Sequence, residues 1–208
     1  MICTLCAGEL MFFYASKRKE YHFCKQCKSI LMSKDCWISA HEEKKRYETH
    51  NNDVEDPRYQ KFVSPIVNSI LKDFSVSNNG LDFGSGTGPV ITKMLRDQKY
   101  NIKTFDIFFD NNPKVLEEKY DYIACCEVIE HFFNPFKEFE LLYNLLNDGG
   151  KLYLMTEMYN VESNFDTWYY KGDPTHVFFY TKKTFEWIRS TFNFKSVAFY
   201  GRMIVLSK

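Results

Sequence analysis

The stretch Gly80-Leu81-Asp82-Phe83-Gly84-Ser85-Gly86-Thr87-Gly88-Pro89 decides the fold. A short apolar run reaches an acid, three glycines alternate with small hydroxylated residues, and a proline follows. Glycine adopts positive φ without steric cost and lets a backbone approach a ligand closely. The run therefore reads as a buried strand ending in a tight turn. Pro89 suits the first position of a helix, where an N–H would have no partner anyway. The unit is strand–turn–helix, and its helix start points at a bound nucleotide-like molecule.

Outward from this unit, helices and strands alternate. Phe62, Val63, Ile66, Val67, Ile70, Leu71 and Phe74 recur at three and four and predict a helix from about Asp56. Ser64-Pro65 inside it looks like a second cap, which predicts two helices with a bend. Strands are expected at Leu81–Phe83, Ile102–Phe105 and Tyr122–Val128, the last apolar almost throughout, as for a strand buried on both faces. Val90–Asp97 reads as a helix, and Asn134-Pro135 caps another running to about Leu146. Asp148-Gly149-Gly150 reads as a turn before a strand at Lys151–Thr156. Thr181 caps a last helix to about Phe192. Val197–Tyr200 and Met203–Leu206 flank Gly201-Arg202 as a terminal hairpin. Alternating strands and helices imply an α/β sheet of parallel strands with helices on both faces, closed by one antiparallel strand from the hairpin.

The chain has 208 residues, with 27 basic and 27 acidic side chains, so no global charge draws it to nucleic acid or an anionic membrane. No stretch approaches the ~20 apolar residues of a membrane span, and the N-terminus lacks a basic start followed by an apolar run, so no signal peptide is expected. Aromatic residues make up 18%, which suits a packed core or an aromatic-lined pocket.

Seven cysteines are present, four of them as Cys3-x2-Cys6 and Cys24-x2-Cys27. Two such pairs place four thiolates tetrahedrally around zinc, and the spacing resembles a zinc ribbon. The same usage argues for thiols in a reducing cytoplasm, not disulfides. A site with four protein ligands leaves no position for water and is structural. Residues 1–35 are net basic and read as a separate ribbon module, 36–55 as a linker or solvated helix, and 56–208 as the main domain.

The glycine loop admits two cofactor classes. Dinucleotide enzymes favour G-x-G-x-x-G, but here Pro89 stands where the third glycine would be. Leu81-Asp82-Phe83-Gly84-Ser85-Gly86-Thr87-Gly88 instead resembles the first motif of the class I S-adenosylmethionine-dependent methyltransferases. Tyr120 to His131 (YDYIACCEVIEH) resembles the fourth-strand motif of their quinone-biosynthesis-like branch, and Leu146 to Leu152 the turn before the fifth strand. Asp173-Pro174-Thr175-His176-Val177 resembles a segment of a bacterial subgroup. The resemblance implies a Rossmann-like class I methyltransferase fold. Only about a dozen residues separate Asp106 from the Tyr120 strand, where the family fits a further strand and helix, so that edge is expected to be truncated.

The resemblance also implies a site. Gly84, Ser85, Gly86, Thr87 and Gly88 would pass under the methionine part of S-adenosylmethionine, and Asp82 would support the loop and the cofactor's amino group. Asp106 would accept hydrogen bonds from both ribose hydroxyls, with Ile107 and Phe108 beside the adenine. Cys126 and Glu127, at the end of the fourth-strand motif, would face the cofactor. Methyl transfer needs mainly alignment of nucleophile, methyl and sulfur, with a base only where the acceptor loses a proton. His131, His176 and Glu127 are the candidates, although a histidine after such a strand also serves as a capping or hydrogen-bonding group. Tyr47 and His50 are candidates for folding over the cofactor.

The expectation is a cytoplasmic methyltransferase using S-adenosylmethionine and carrying zinc. Its acceptor would be a small molecule or carrier-linked metabolite. A second reading is an RNA methyltransferase docking through the ribbon; a third is a non-catalytic cofactor-binding scaffold. A nicotinamide oxidoreductase is disfavoured by the loop spacing.

Overall fold

The computed structural model describes residues 1–16, 18–49 and 53–208. The N-terminal part holds strands β1 (Leu10–Ala15), β2 (Glu20–Cys24) and β3 (Ile30–Met32), then helices α1 (Ala40–Glu48) and α2 (Pro57–Asp73). Next come β4 (Asn79–Phe83), α3 (Val90–Asp97), β5 (Asn101–Phe105), β6 (Tyr120–Cys126), α4 (Pro135–Leu145) and β7 (Leu146–Met155). The short β8 (Phe178–Phe179), α5 (Lys182–Thr191), β9 (Ser196–Tyr200) and β10 (Met203–Ser207) complete the chain.

The main sheet runs β5-β4-β6-β7-β10-β9. Its first four strands are parallel, and β10 lies antiparallel to both β7 and β9. This is the expected Rossmann-like sheet closed by a terminal hairpin. Side chains alternate across it because strand residues point to opposite faces. Ile123, Cys125, Leu152, Leu154, Ile204 and Leu206 pack with Phe139 and Leu142 of α4 and Phe185 and Ile188 of α5. Tyr122, Ala124, Tyr153, Met155, Met203 and Val205 pack with Val63 and Ile66 of α2 and Ile91 and Leu95 of α3. β5 ends the sheet. Residues 106–119 form only an isolated bridge between Asp106 and Asp110 and a short 3-10 turn, Pro113–Glu117, so the edge is truncated as expected.

Four local expectations are corrected. Helix α2 continues through Pro65 instead of breaking there. Proline supplies no N–H for the carbonyl four residues back, but the Ser64 hydroxyl donates to that Lys61 carbonyl at 2.8 Å. Pro89 is the residue before α3, not its first member. β7 begins at Leu146, so the turn at Asp148–Gly150 is an excursion inside the strand. Gly149 takes φ 80°, and the loop keeps its backbone bonded to Lys208. Finally, the N-terminal strands do not stand apart. Their sheet, β1-β2-β3-β8, is completed by Phe178 and Phe179 from the main domain, and the two share one core. Among the described residues, no helix is long and apolar enough to cross a membrane.

Candidate active site

At the carboxyl end of β4, Gly84 and Gly86 take φ of 77° and 65°, the left-handed region glycine enters most readily. The N–H groups of Gly84 and Ser85 donate to the Phe105 carbonyl at 2.7 and 3.2 Å. Asp106 ties the same loop to its own: Oδ2 accepts the Gly86 N–H at 2.9 Å, and Oδ1 accepts those of Phe108 and Phe109 at 2.9 and 3.1 Å. A carboxylate offers about four lone-pair sites, so one acceptor position remains, on Oδ2. In this conformation Asp106 can receive one ligand hydroxyl directly, not two.

Asp82 lies beneath the loop. Its carboxylate accepts the Thr92 hydroxyl at 2.8 Å. It thereby ties the end of β4 to the first turn of α3, whose preceding residue, Pro89, has no side chain able to cap the helix. Burial pushes its carboxyl up to about 6. An acid raised above its unfolded value of about 3.9 contributes stability that is complete at low pH and lost as pH rises through the folded value. Asp82→Asn is expected to remove a loss of stability, roughly 2–3 kcal/mol, that develops between about pH 4 and about pH 6. Thermal unfolding across that range checks it; an unaltered pH profile would clear Asp82 of this role.

Beside the loop lies a cavity of about 970 Å³, near the top of the range for small-molecule sites. Gly84, Ser85, Gly86, Thr87, Asp106, Ile107 and Phe108 form one wall, and Cys126 and Glu127 the floor. Gly88 and Asp82 are not in the lining. Cys125, the neighbour of Cys126, is fully buried, as alternation requires. Tyr59 and Phe62 of α2 and Glu43, Arg46 and Tyr47 of α1 face the same space. The stretch expected as linker or solvated helix thus supplies a wall. Ser39 and Glu42 close a capping box that starts α1, and Arg46 pairs with Asp173 across the cavity mouth. His50 lies outside the described residues.

His131 and His176 belong to the same lining, with ring centroids 4.9 Å apart. His131 Nδ1 lies 3.0 Å from the Thr175 carbonyl and His176 Nδ1 2.8 Å from the Tyr170 carbonyl. A carbonyl only accepts, so each Nδ1 carries its proton and each Nε2 presents a lone pair. Burial lowers both imidazoles, His176 to about 3, so both are neutral at pH 7. Glu130 is completely buried. It accepts the Thr156 hydroxyl at 3.0 Å and the Tyr170 hydroxyl. Glu127 takes φ 53°, a left-handed conformation unusual for a non-glycine residue. Its two carboxylate oxygens are each 2.7 Å from Arg202 Nη2. Burial pushes Glu127 and Glu130 up to about 7 each. Most of the aromatic segment's rings are core: Tyr170 and Phe178 to Tyr180 are buried, while Tyr169, Tyr170 and His176, with Gly172 and Asp173 between them, line the cavity.

The four N-terminal cysteines also converge, their sulfurs all within 4.8 Å of one another. Cys3 and Cys27 are 3.6 Å apart, Cys6 and Cys24 3.3 Å. The two knuckles are built alike. Ala7 and Lys28, each following the second cysteine of its pair, take φ 58° and 62°. Each donates its N–H back to the first cysteine's carbonyl, Ala7 to Cys3 and Lys28 to Cys24, at 3.0 and 2.9 Å. Tetrahedral zinc with bonds of about 2.3 Å needs sulfurs ~3.8 Å apart, so this set fits such an ion.

Two parts of the site were hidden in the sequence. Arg202 read only as a hairpin-turn residue, and Glu130 as one letter of a motif; nothing local shows that they meet Glu127 and Tyr170. Phe62 read as part of a core-facing helix stripe and Tyr59 carried no signal of its own, yet both line the cavity.

A family model described as methyltransferase domain matches residues 56–198. The chain belongs to that family, and the expectation of a methyltransferase-family domain is borne out. Among curated proteins, none matches it. Among solved structures it is similar to human N-acetylserotonin methyltransferase in complex with SAM (15% identity, TM-score 0.55, 82% of this chain and 56% of that one). It is also similar to a SAM-dependent methyltransferase from Archaeoglobus fulgidus (13%, TM-score 0.57, 82% and 100%). A third is 1,6-didemethyltoxoflavin-N1-methyltransferase from Burkholderia thailandensis with bound 1,6-didemethyltoxoflavin and S-adenosylhomocysteine (12%, TM-score 0.56, 95% and 98%). The chain spans little more than half the length of the human enzyme. At these identities the likeness is one of fold.

Proposed function

We propose that the protein transfers a methyl group from S-adenosylmethionine to a small-molecule or carrier-linked acceptor, with residues 1–35 held by a structural zinc at Cys3, Cys6, Cys24 and Cys27. One observation carries the reading: a single cavity is lined both by the glycine loop and Asp106 and by His131 and His176. The sulfonium supplies an already activated methyl, so the protein's task is alignment. The loop backbone at Gly84 to Thr87 lies where a cofactor chain would pass. The free lone pair of Asp106 Oδ2 suits a ribose hydroxyl, and Ile107 and Phe108 give a flat ring an apolar bed. His131, neutral and with its Nδ1 proton on a carbonyl, suits proton removal from an acceptor in the cavity, with His176, lowered to about 3 and so the weaker base, beside it. The Burkholderia enzyme of this fold is described with a bound small molecule, which supports an acceptor of that size. The Glu127-Val128-Ile129-Glu130-His131 segment supports placement near the quinone-biosynthesis-like branch.

Calorimetry with S-adenosylmethionine and with NAD tests the cofactor. Binding of the first and not the second is expected; the reverse would overturn the reading. Asp106→Ala is expected to weaken S-adenosylmethionine about 10- to 100-fold, the value of a charged hydrogen bond plus the loop it ties down. Undiminished affinity would remove Asp106 from the site.

A further inference from the structure

We infer that Glu130, His131 and His176 form a divalent-cation site beside the cavity, distinct from the cysteine cluster. One ligand atom from each lies within 4.8 Å of the other two. The two Nδ1 atoms are committed to backbone carbonyls, which leaves the Nε2 lone pairs as donors; His131 Nε2 is 3.9 Å from Glu130 Oε1. Three Lewis-basic groups thus gather within 4.8 Å of one another. Among the described residues Glu130 has no ion pair with lysine or arginine, because Arg202 is engaged by Glu127 and Glu157. A fully buried carboxylate facing two imidazole lone pairs is costly without a cation or a proton to share. A metal ion resolves all three at once.

The surroundings have the form of an outer shell. Metal-bound histidines generally donate the other ring N–H to a carbonyl or carboxylate, which fixes tautomer and orientation; both histidines here do so. Glu130 is itself oriented by the Tyr170 and Thr156 hydroxyls. Tyr170 serves the cluster twice, since its carbonyl holds His176 and its hydroxyl holds Glu130. Glu127 is not assigned as a ligand, because Arg202 neutralises it. Two imidazoles and one carboxylate suit a borderline or hard divalent ion such as Zn²⁺, Mn²⁺ or Fe²⁺, with coordination positions left over. His131 and His176 line the cavity, so those positions open into it. The ligand that fits them is an acceptor hydroxyl oxygen. With the ion bound, both Nε2 lone pairs are taken up and neither imidazole acts as the base; the cation would instead lower that hydroxyl's pKa, so that its proton leaves to solvent and the oxygen is ready to receive a methyl group. This role of the ion, though not its binding, rests on the methyltransferase reading.

The test uses Mn²⁺ alone, added to the full chain, because a hard ion disfavours the four thiolates. Water-proton relaxation is expected to show one Mn²⁺ bound per chain, and pulsed EPR to show coupling to imidazole ¹⁴N. Glu130→Gln and His176→Gln should each weaken Mn²⁺ at least tenfold. Zinc content at the cysteine cluster should stay constant in both variants. Absence of ¹⁴N coupling in the unaltered protein, or Mn²⁺ affinity indifferent to both substitutions, would overturn the site. Binding of S-adenosylhomocysteine, measured on the same samples, separates the two questions. If it persists while Mn²⁺ does not bind, the cation site falls and the methyltransferase reading stands. If Mn²⁺ binds and the cofactor product does not, the cation site stands and the cofactor reading falls.

Discussion

Gly84→Ala is expected to lower the melting temperature by on the order of 10 °C and to abolish measurable S-adenosylmethionine binding. Two independent costs coincide at this residue. Its φ of 77° lies in the left-handed region, which costs an L-residue about 1–2 kcal/mol. A Cβ there would also sit 2.4 Å from Val128 Cγ2 and 2.7 Å from Cγ1, an overlap worth roughly 1–3 kcal/mol. Relief by backbone movement would pull the Gly84 and Ser85 N–H groups off the Phe105 carbonyl and move the wall of the cavity. The double variant Gly84→Ala/Val128→Ala should regain part of the stability, since it removes the overlap and leaves the dihedral cost. A single variant that melts and binds like the parent would show that this loop is neither strained nor part of the site.

Removing zinc from the cysteine cluster is expected to disturb a region far from the cysteines in sequence. A structural zinc supplies folding energy that about 35 residues cannot draw from a core of their own. Here the loss would travel. β3 pairs with β8 through Ile30–Phe179 and Leu31–Phe178. Lys19 Nζ donates to three successive carbonyls, Lys171, Gly172 and Asp173, at 3.0, 3.2 and 2.9 Å, and the Tyr21 hydroxyl donates to the first of them. The cysteine-bearing strands therefore hold the segment that carries Tyr170 and His176. Chelation, or Cys24→Ser, should raise amide hydrogen exchange in 1–35 and in 169–180 together. About one zinc per chain is expected before treatment. Faster exchange confined to 1–35 would refute the coupling, and a folded protein isolated without metal would refute the zinc.

Much of the fold was legible because its signals are local. The glycine loop needs particular dihedrals, the strand of β6 needs an apolar run, and Asn134 and Thr181 cap their helices within three residues of themselves. The break expected at Pro65 failed because a side-chain donor one residue earlier satisfies the carbonyl that proline leaves open, a compensation composition does not reveal. β8 was missed because two residues make no period. The candidate site was legible as a set of letters more than as an arrangement. Asp106 stood out, but its three backbone partners, which leave it one lone pair, depend on how two loops meet.

The sequence by itself determined the α/β class, the order of the parallel strands' motifs, the truncated edge after Asp106 and the paired cysteine knuckles. The truncated edge follows from the family resemblance; the others follow from spacing over a few residues, where dihedral preference and side-chain alternation act directly. Only the tertiary structure decided that α1 walls the cavity, that Arg202 answers Glu127, and that Glu130, His131 and His176 converge. It also decided that the cysteine-bearing strands and the main domain share one sheet. Those contacts join residues separated by 45 to 150 positions, and no local preference encodes which distant groups burial will bring together.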